Sequence, residues 1–327
     1  MRQITYREAL REALRYNLIN DERVFLAGED VGVVGGGMGV SKGLIEEFGP
    51  KRIVDTPISE NAIAGLGIGA ALTGLRPVVE IMYIDFVTCC MDMILNQMAK
   101  IHYMFGGQVN VPMVLKTVTG TSGGNAAQHS NNFYAMFINT PGLLVVTPAT
   151  AYDAKGLFNT AIVNENPVVF IEHKRIYNIK DDVPEEYYTI PFGKAAIRRQ
   201  GKDITIVATQ ALVFDSLKVA EEIQKEGISC EVIDPRTLNP LDKDTIFDSV
   251  KKTGKLIVAD EGCLTCGFAS EIASLAAQEL FGYLKAPVIK VGSPDTPAPY
   301  SPPLEAAYIP GERNIREAII KIMKYSI

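Results

Sequence analysis

The chain has 327 residues, of which 47% are hydrophobic and 21% charged, with a formal net charge of −6 and an isoelectric point near 5.3. That length accommodates two ordinary domains with packed cores, and the composition excludes extended disorder. The acidic balance leaves no electrostatic footprint for nucleic acid or an anionic membrane.

Cysteines at 89, 90, 230, 263 and 266 are odd in number and form no disulfide framework, which suits a reducing compartment. No uncharged apolar run reaches a membrane span and the chain opens without an apolar signal core, so a cytoplasmic protein is expected.

Taken in order, Tyr6 to Tyr16 has the spacing of an amphipathic helix capped by Thr5, and Val24–Gly28 reads as a buried strand ending in Glu29-Asp30. Carboxylates just past a strand end in an α/β sheet lie where ligands usually bind, although Glu29 is equally a surface turn acid. Gly35-Gly36-Gly37 predicts a mobile loop leading to a helix over 42–48. Ile53 and Val54 end a short β run, Pro57 stops it, and Ser59 is placed as a helix N-cap.

Glu60 then opens a helix in which Asn61 to Thr73 carry no charge, so this helix is expected to be buried nearly all round, in a core or an interface. A carboxylate with so little water near it has a raised pKa and can exchange a proton with a ligand ring nitrogen; the plainer alternative is a helix-start acid. Gly65, Gly67 and Gly69 follow too late for a phosphate turn and lack the G-x-G-x-x-G spacing, so they are read as points of close backbone approach.

Pro77–Met82 is the next predicted strand, followed by a helix over about 87–104 whose Cys90, Ile94, Met98 and Ile101 are core. Val111–Thr117 is a strand leading into the glycine-rich loop Gly120 to Ser130, which carries His129 where a titrating side chain can meet a ligand. His102 lies inside the preceding helix, and His173 is read as a surface or pairing residue. Leu143–Val146, a helix over 152–164 and Val168–Ile171 complete a doubly wound α/β pattern. Polar, acidic residues 178–188 read as a linker, giving domains over 1–185 and 186–327; the second again alternates strands and helices up to a C-terminal helix over 314–325. Cys263-Leu-Thr-Cys266 has redox spacing but lacks a second ligand pair for zinc, and is read as structural.

Asp55-Thr-Pro-Ile-Ser-Glu60 with its glycine-rich helix, and Ala127-Gln-His129-Ser, resemble the β subunits of thiamine diphosphate-dependent 2-oxo acid and acetoin dehydrogenase E1 components. The resemblance runs almost end to end. It implies a transketolase-like pyrimidine-binding domain followed by a transketolase C-terminal-type domain. It further implies that Glu60 hydrogen-bonds N1′ of the cofactor aminopyrimidine, that Ile58, Met82 and Phe86 contact that ring, and that Glu29 lies close by. His129 would assist transfer of the acyl unit to a lipoyl group, and the carbonyl of Ala161 with Asn164 and Asn166 would form a K⁺ loop, although a self-satisfied turn explains the same letters.

The chain has no Gly-Asp-Gly segment of the kind that holds Mg²⁺ and the diphosphate, so an α subunit is expected to supply that half, in an α₂β₂ assembly served by a lipoyl-bearing acyltransferase. Sequence texture around Cys89-Cys90, Glu172–Arg175 and Val183–Phe192 is closer to acetoin dehydrogenase β subunits than to pyruvate or branched-chain ones. A self-sufficient transketolase would be about twice as long and carry the missing motif. A flavoprotein-like electron-transfer subunit is the non-enzymatic alternative, separated by cofactor titration.

Overall fold

Thr5 ends strand β1 (Arg2–Thr5), and its hydroxyl accepts the Glu8 N–H while the Glu8 carboxylate accepts the Thr5 N–H; this capping box starts α1 (Tyr6–Asn20). Leu10, Leu14 and Leu18 recur along one face of α1 and are buried. These details come from a computed structural model that describes residues 2–325.

The chain continues through β2 (Val24–Gly28), α2 (Leu44–Phe48), β3 (Ile53–Asp55), α3 (Glu60–Leu72) and β4 (Arg76–Ile81) to α4 (Ala99–Met104), β5 (Val114–Thr119), α5 (Tyr134–Ile138), β6 (Leu144–Val146), α6 (Ala151–Val163), β7 (Val168–His173) and β8 (Lys180–Val183). By contacts it divides into two units. The first holds the residues up to Thr119 together with Met136–Phe192, and the second holds Gly120–Ala135 together with the chain from Gly193 on.

In the first unit the strands run in the order β6-β7-β5-β4-β2-β3, all parallel. A parallel sheet is covered on both faces, which is why β2, β4, β5 and β7 are buried at every position. The predicted linker is not free chain: β8 pairs antiparallel with β1, Lys155 donates to the carbonyls of Pro184 and Glu185, and Tyr188 stacks on Tyr152 with ring centroids 4.8 Å apart. Its acidic residues face water between these anchors.

The helix expected over 87–104 starts earlier, as a 3₁₀ segment over Ile84–Cys90, and widens to a π-helix over Met93–Met98 before α4. Cys90, Ile94, Met98 and Ile101 are nevertheless all buried. The π turn adds a residue per turn without rotating that face out of the core.

The second unit is built from β9 (Ala196–Arg199), β10 (Ile204–Ala208), α7 (Ala211–Gln224), β11 (Cys230–Asp234), β12 (Thr237–Asn239), α8 (Lys243–Thr253), β13 (Leu256–Cys263), α9 (Phe268–Glu279), β14 (Ile289–Ser293), α10 (Pro302–Tyr308) and α11 (Glu312–Met323). Its sheet order is β14-β13-β10-β11-β9, parallel except for the edge strand β9. Both units are therefore α/β, as expected, with β1, α5, β8, β9, β12, α8 and α10 added to the predicted elements. No helix among the described residues is long and apolar enough to cross a membrane.

Candidate active site

Gly28 and Asp55 are register partners at the carboxyl ends of β2 and β3, so the segments that follow, carrying Glu29 and Glu60, leave the sheet side by side. Burial, then the negative charges of Asp30 and Glu60, raises the Glu29 carboxyl above its ordinary value. Burial also pushes the Cys90 thiol up to about 12, with Glu60 adding to the effect. Glu29, Glu60 and Cys90 thus share one electrostatic neighbourhood.

Glu60 is the first residue of α3, where the helix N-terminus favours a negative charge. Ser59 takes the cap position but its side chain makes no cap hydrogen bond, so that part of the sequence reading is corrected. Among the described residues nothing forms a hydrogen bond or ion pair with the Glu60 carboxylate, which is half-buried. Ile58 beside it is 72% exposed, and Met82 and Phe86 are half-buried. A carboxylate without a partner can accept from a ring nitrogen, and accessible aliphatic, thioether and aromatic side chains suit the face of a flat heterocycle.

The helix behind Glu60 is not buried all round. Ile63, Ala64, Gly67, Ile68 and Ala71 face inward, while Asn61, Ala62, Leu66, Gly69 and Leu72 are exposed. None of its three glycines meets another backbone: Gly67 instead makes room for side chains, a Cβ there lying 2.7 Å from Val79 Cγ1 and 3.0 Å from Met113.

The triple-glycine segment is tied down where mobility was expected. Gly35 and Gly36 N–H donate to the Asp30 carbonyl at 3.1 and 2.8 Å, Gly32 N–H to Asp55 Oδ1 at 2.6 Å, and Gly37 N–H to Glu80 Oε1 at 3.0 Å. Its glycines serve contact with carboxylates and with Met82, whose Cγ would be 2.4 Å from a Cβ on Gly37. The sequence reading missed Glu80. Its only signal was a charge inside an apolar strand.

His129 belongs to the second unit, on a loop with several anchors there. The Glu261 carboxylate accepts the Thr121 N–H, Glu305 Oε1 accepts the Gly124 N–H at 2.9 Å, and the Tyr134 hydroxyl donates to the Gln210 side-chain carbonyl. Asp260, next to Glu261, is pushed up to about 6 by burial, against the Gly262 N–H and Thr209 hydroxyl that favour its charged form. These anchors are about 75 to 180 residues away in sequence, so no local pattern could have found them.

At the predicted cation loop, Asn164 N–H donates to the Ala161 carbonyl, and both the N–H and side-chain amide of Asn166 donate to Asn164 Oδ1 at 2.9 and 3.2 Å. Arg76 donates to the carbonyls of Ile162 and Asn164 at 3.2 and 3.1 Å and pairs with Glu165. A guanidinium already brings positive charge to this turn and Asn164 is occupied by its neighbour; these donors do not fit K⁺ as they stand. His173 is buried, its Nδ1 accepting the Arg175 N–H, and is not a surface residue. Cys263 and Cys266 are free and exposed, and partial burial, then the charges of Asp295 and Asp260, raises the Cys263 thiol above its ordinary value. No cluster of three or more His, Cys, Asp or Glu able to hold a metal occurs among the described residues.

Comparison with known proteins accounts for the whole chain. Residues 2–180 match the transketolase pyrimidine binding domain and residues 193–315 the transketolase C-terminal domain. The chain is 47% identical to the pyruvate dehydrogenase E1 component subunit beta of Rickettsia conorii, covering 99% of this chain and 100% of that one. It is 44% identical to the acetoin:2,6-dichlorophenolindophenol oxidoreductase subunit beta of Bacillus subtilis, covering 98% of each. A solved split gene transketolase in an inactive β4 tetramer superposes with a TM-score of 0.81 over 99% of both chains at 22% identity, a likeness of fold. From its two matched domains and its full-length relatives, the chain belongs to the transketolase-related family that includes the β subunits of pyruvate and acetoin dehydrogenase E1 components.

Proposed function

We propose that this chain is the β subunit of a thiamine diphosphate-dependent E1 component which, with an α subunit, cleaves acetoin and passes the acyl unit to a lipoyl carrier. The observation that carries the reading is the unengaged, half-buried Glu60 carboxylate at the start of α3, where the helix N-terminus favours its charge. Thiamine diphosphate, when bound, supplies a carbon nucleophile at its thiazolium ring. Glu60 holds and returns the proton at N1′ of the aminopyrimidine. Ile58, Met82 and Phe86 orient that ring and exclude water, and Glu29, whose carboxyl is raised by burial and by the charges of Asp30 and Glu60, lies close to the ring. His129, on its anchored loop in the second unit, donates a proton to the lipoyl sulfur.

The α subunit is proposed to hold Mg²⁺ and the diphosphate, in an α₂β₂ assembly that also engages a lipoyl-bearing acyltransferase; a cytoplasmic location accompanies this reading. No step is routed through K⁺. Pyruvate is the second reading, favoured by the 47% identity to a pyruvate dehydrogenase subunit against 44% to an acetoin one. Purified α plus β should reduce an artificial electron acceptor with acetoin and not with pyruvate or 3-methyl-2-oxobutanoate. Turnover with pyruvate alone would replace acetoin in this reading, and no turnover with any of the three would sink it. His129→Ala should slow the complete lipoyl-linked complex more than the artificial-acceptor assay, and equal losses would count against its lipoyl role.

A further inference from the structure

Three charged side chains on neighbouring strands of the first unit are buried together: Glu80 on β4, Lys116 on β5 and Glu172 on β7. Lys116 Nζ lies 2.9 Å from Glu80 Oε2 and 3.1 Å from Glu172 Oε1, and the Tyr177 hydroxyl donates to the other oxygen of Glu172. Burial by itself would lower Lys116, but Glu172 and Glu80 outweigh it and hold the ammonium above its ordinary value. Removing such charges from water is costly, and apolar residues of equal volume often stabilise as well. Stability alone therefore gives no reason for the cluster.

Glu80 also reaches outward. Its second oxygen, Oε1, accepts the Gly37 N–H at 3.0 Å, and Gly36 lies so close that a Cβ would stand 2.6 Å from that oxygen. Gly37 in turn lies against Met82. A carboxylate can accept from two donors at once, here an ammonium on the sheet side and a backbone N–H on the loop side; Glu172, itself held by the Tyr177 hydroxyl, pairs with the ammonium from behind.

We propose that Glu80 is a positioning residue: fixed by Lys116, its carboxylate sets Gly36 and Gly37 against Met82 and so holds one wall of the aminopyrimidine site in place before the cofactor binds. The inference rests on the reading of Met82 as a cofactor contact. Arg76, at the other end of β4, has no part in it.

Glu80→Gln keeps the side-chain shape but turns one acceptor into a donor, so either Lys116 or Gly37 faces another donor; Lys116 retains Glu172 as counter-ion, and the fold should survive. In the full chain without cofactor, amide hydrogen exchange of the 33–39 segment should quicken about tenfold or more, the scale of one lost charge-assisted hydrogen bond, while β5 and β7 keep wild-type rates. In the α–β assembly the KM for thiamine diphosphate should rise about tenfold, with kcat within about twofold. Gly36→Ala crowds the Glu80 carboxylate from the loop side and leaves Lys116 and Glu172 unchanged. It should give the same two signatures, and it decides the matter should Glu80→Gln fail to fold. Unchanged exchange over 33–39, a rise shared equally by β5 and β7, or faster exchange with an unaltered KM each overturns the proposal. A wild-type assembly with no thiamine diphosphate-dependent turnover would instead sink the functional reading, leaving selective exchange to judge whether Glu80 holds the loop.

Discussion

Glu60 and Glu172 are both glutamates of the first unit, and their surroundings give them opposite tasks. Glu60 is half-buried and unengaged, so a neutral replacement should cost the fold little. Glu60→Gln removes the group that exchanges a proton with N1′, and C2–H exchange of thiamine diphosphate in the α–β assembly should slow by about 10²-fold or more. Exchange at the wild-type rate would reduce Glu60 to a helix-start acid. Glu172 is fully buried, and burial pushes its carboxyl from 4.5 up to about 6, against the pull of Lys116 and the Tyr177 hydroxyl and with Glu80 adding to the rise. Because the folded value is raised, the protonated form is the one the fold favours. That contribution is complete below about 4.5 and is lost as pH climbs through about 6. The melting temperature of Glu172→Gln should therefore improve relative to wild type as pH rises across this window; a difference that is flat with pH would refute the assignment.

At the scale of elements, α3 separates what the chain packs for itself from what it leaves for others. Gly67 faces β4 and Met113, and Gly67→Ala should destabilise the chain by about 1–3 kcal/mol through overpacking. Gly69 has no atom within 4 Å of an added Cβ, so Gly69→Ala in the isolated chain should stabilise the helix by about 0.5–1 kcal/mol. With the α subunit present the same change should weaken association, because the exposed face of α3, including Leu66 and Leu72, is apolar and uncharged. Thermal melting of the β chain and sedimentation of the α–β mixture test the two halves separately. Unaltered association would place the partner elsewhere. The periodicity of this helix was legible, but which of its faces the chain itself covers was not, since α3 is apolar on both.

For the whole molecule, the missing Gly-Asp-Gly segment leaves the diphosphate half of the site to a partner. The isolated chain should bind Mg²⁺–thiamine diphosphate poorly and should not turn over, and calorimetry on β alone against the α–β mixture checks it. Micromolar binding by β alone would overturn the division of the site between subunits.

The sequence by itself determined the α/β class, most strands of both units to within a few residues, the Thr5 cap and the motifs around Glu60 and His129, because each is written in local periodicity or in a short run of neighbours. Tertiary structure decided the rest. Glu80, Lys116 and Glu172 read as isolated charges in three apolar strands until β4, β5 and β7 pair and bring opposite signs within hydrogen-bond distance. The segment at Gly35–Gly37 looked mobile because its anchors, Asp30 apart, come from elsewhere in the chain, and the His129 loop owes its hold to Glu261 and Glu305, well over a hundred residues on. Periodicity reports which side of an element avoids water. It carries no information about which distant carboxylate will accept a particular backbone N–H, and only the folded sheets settle that.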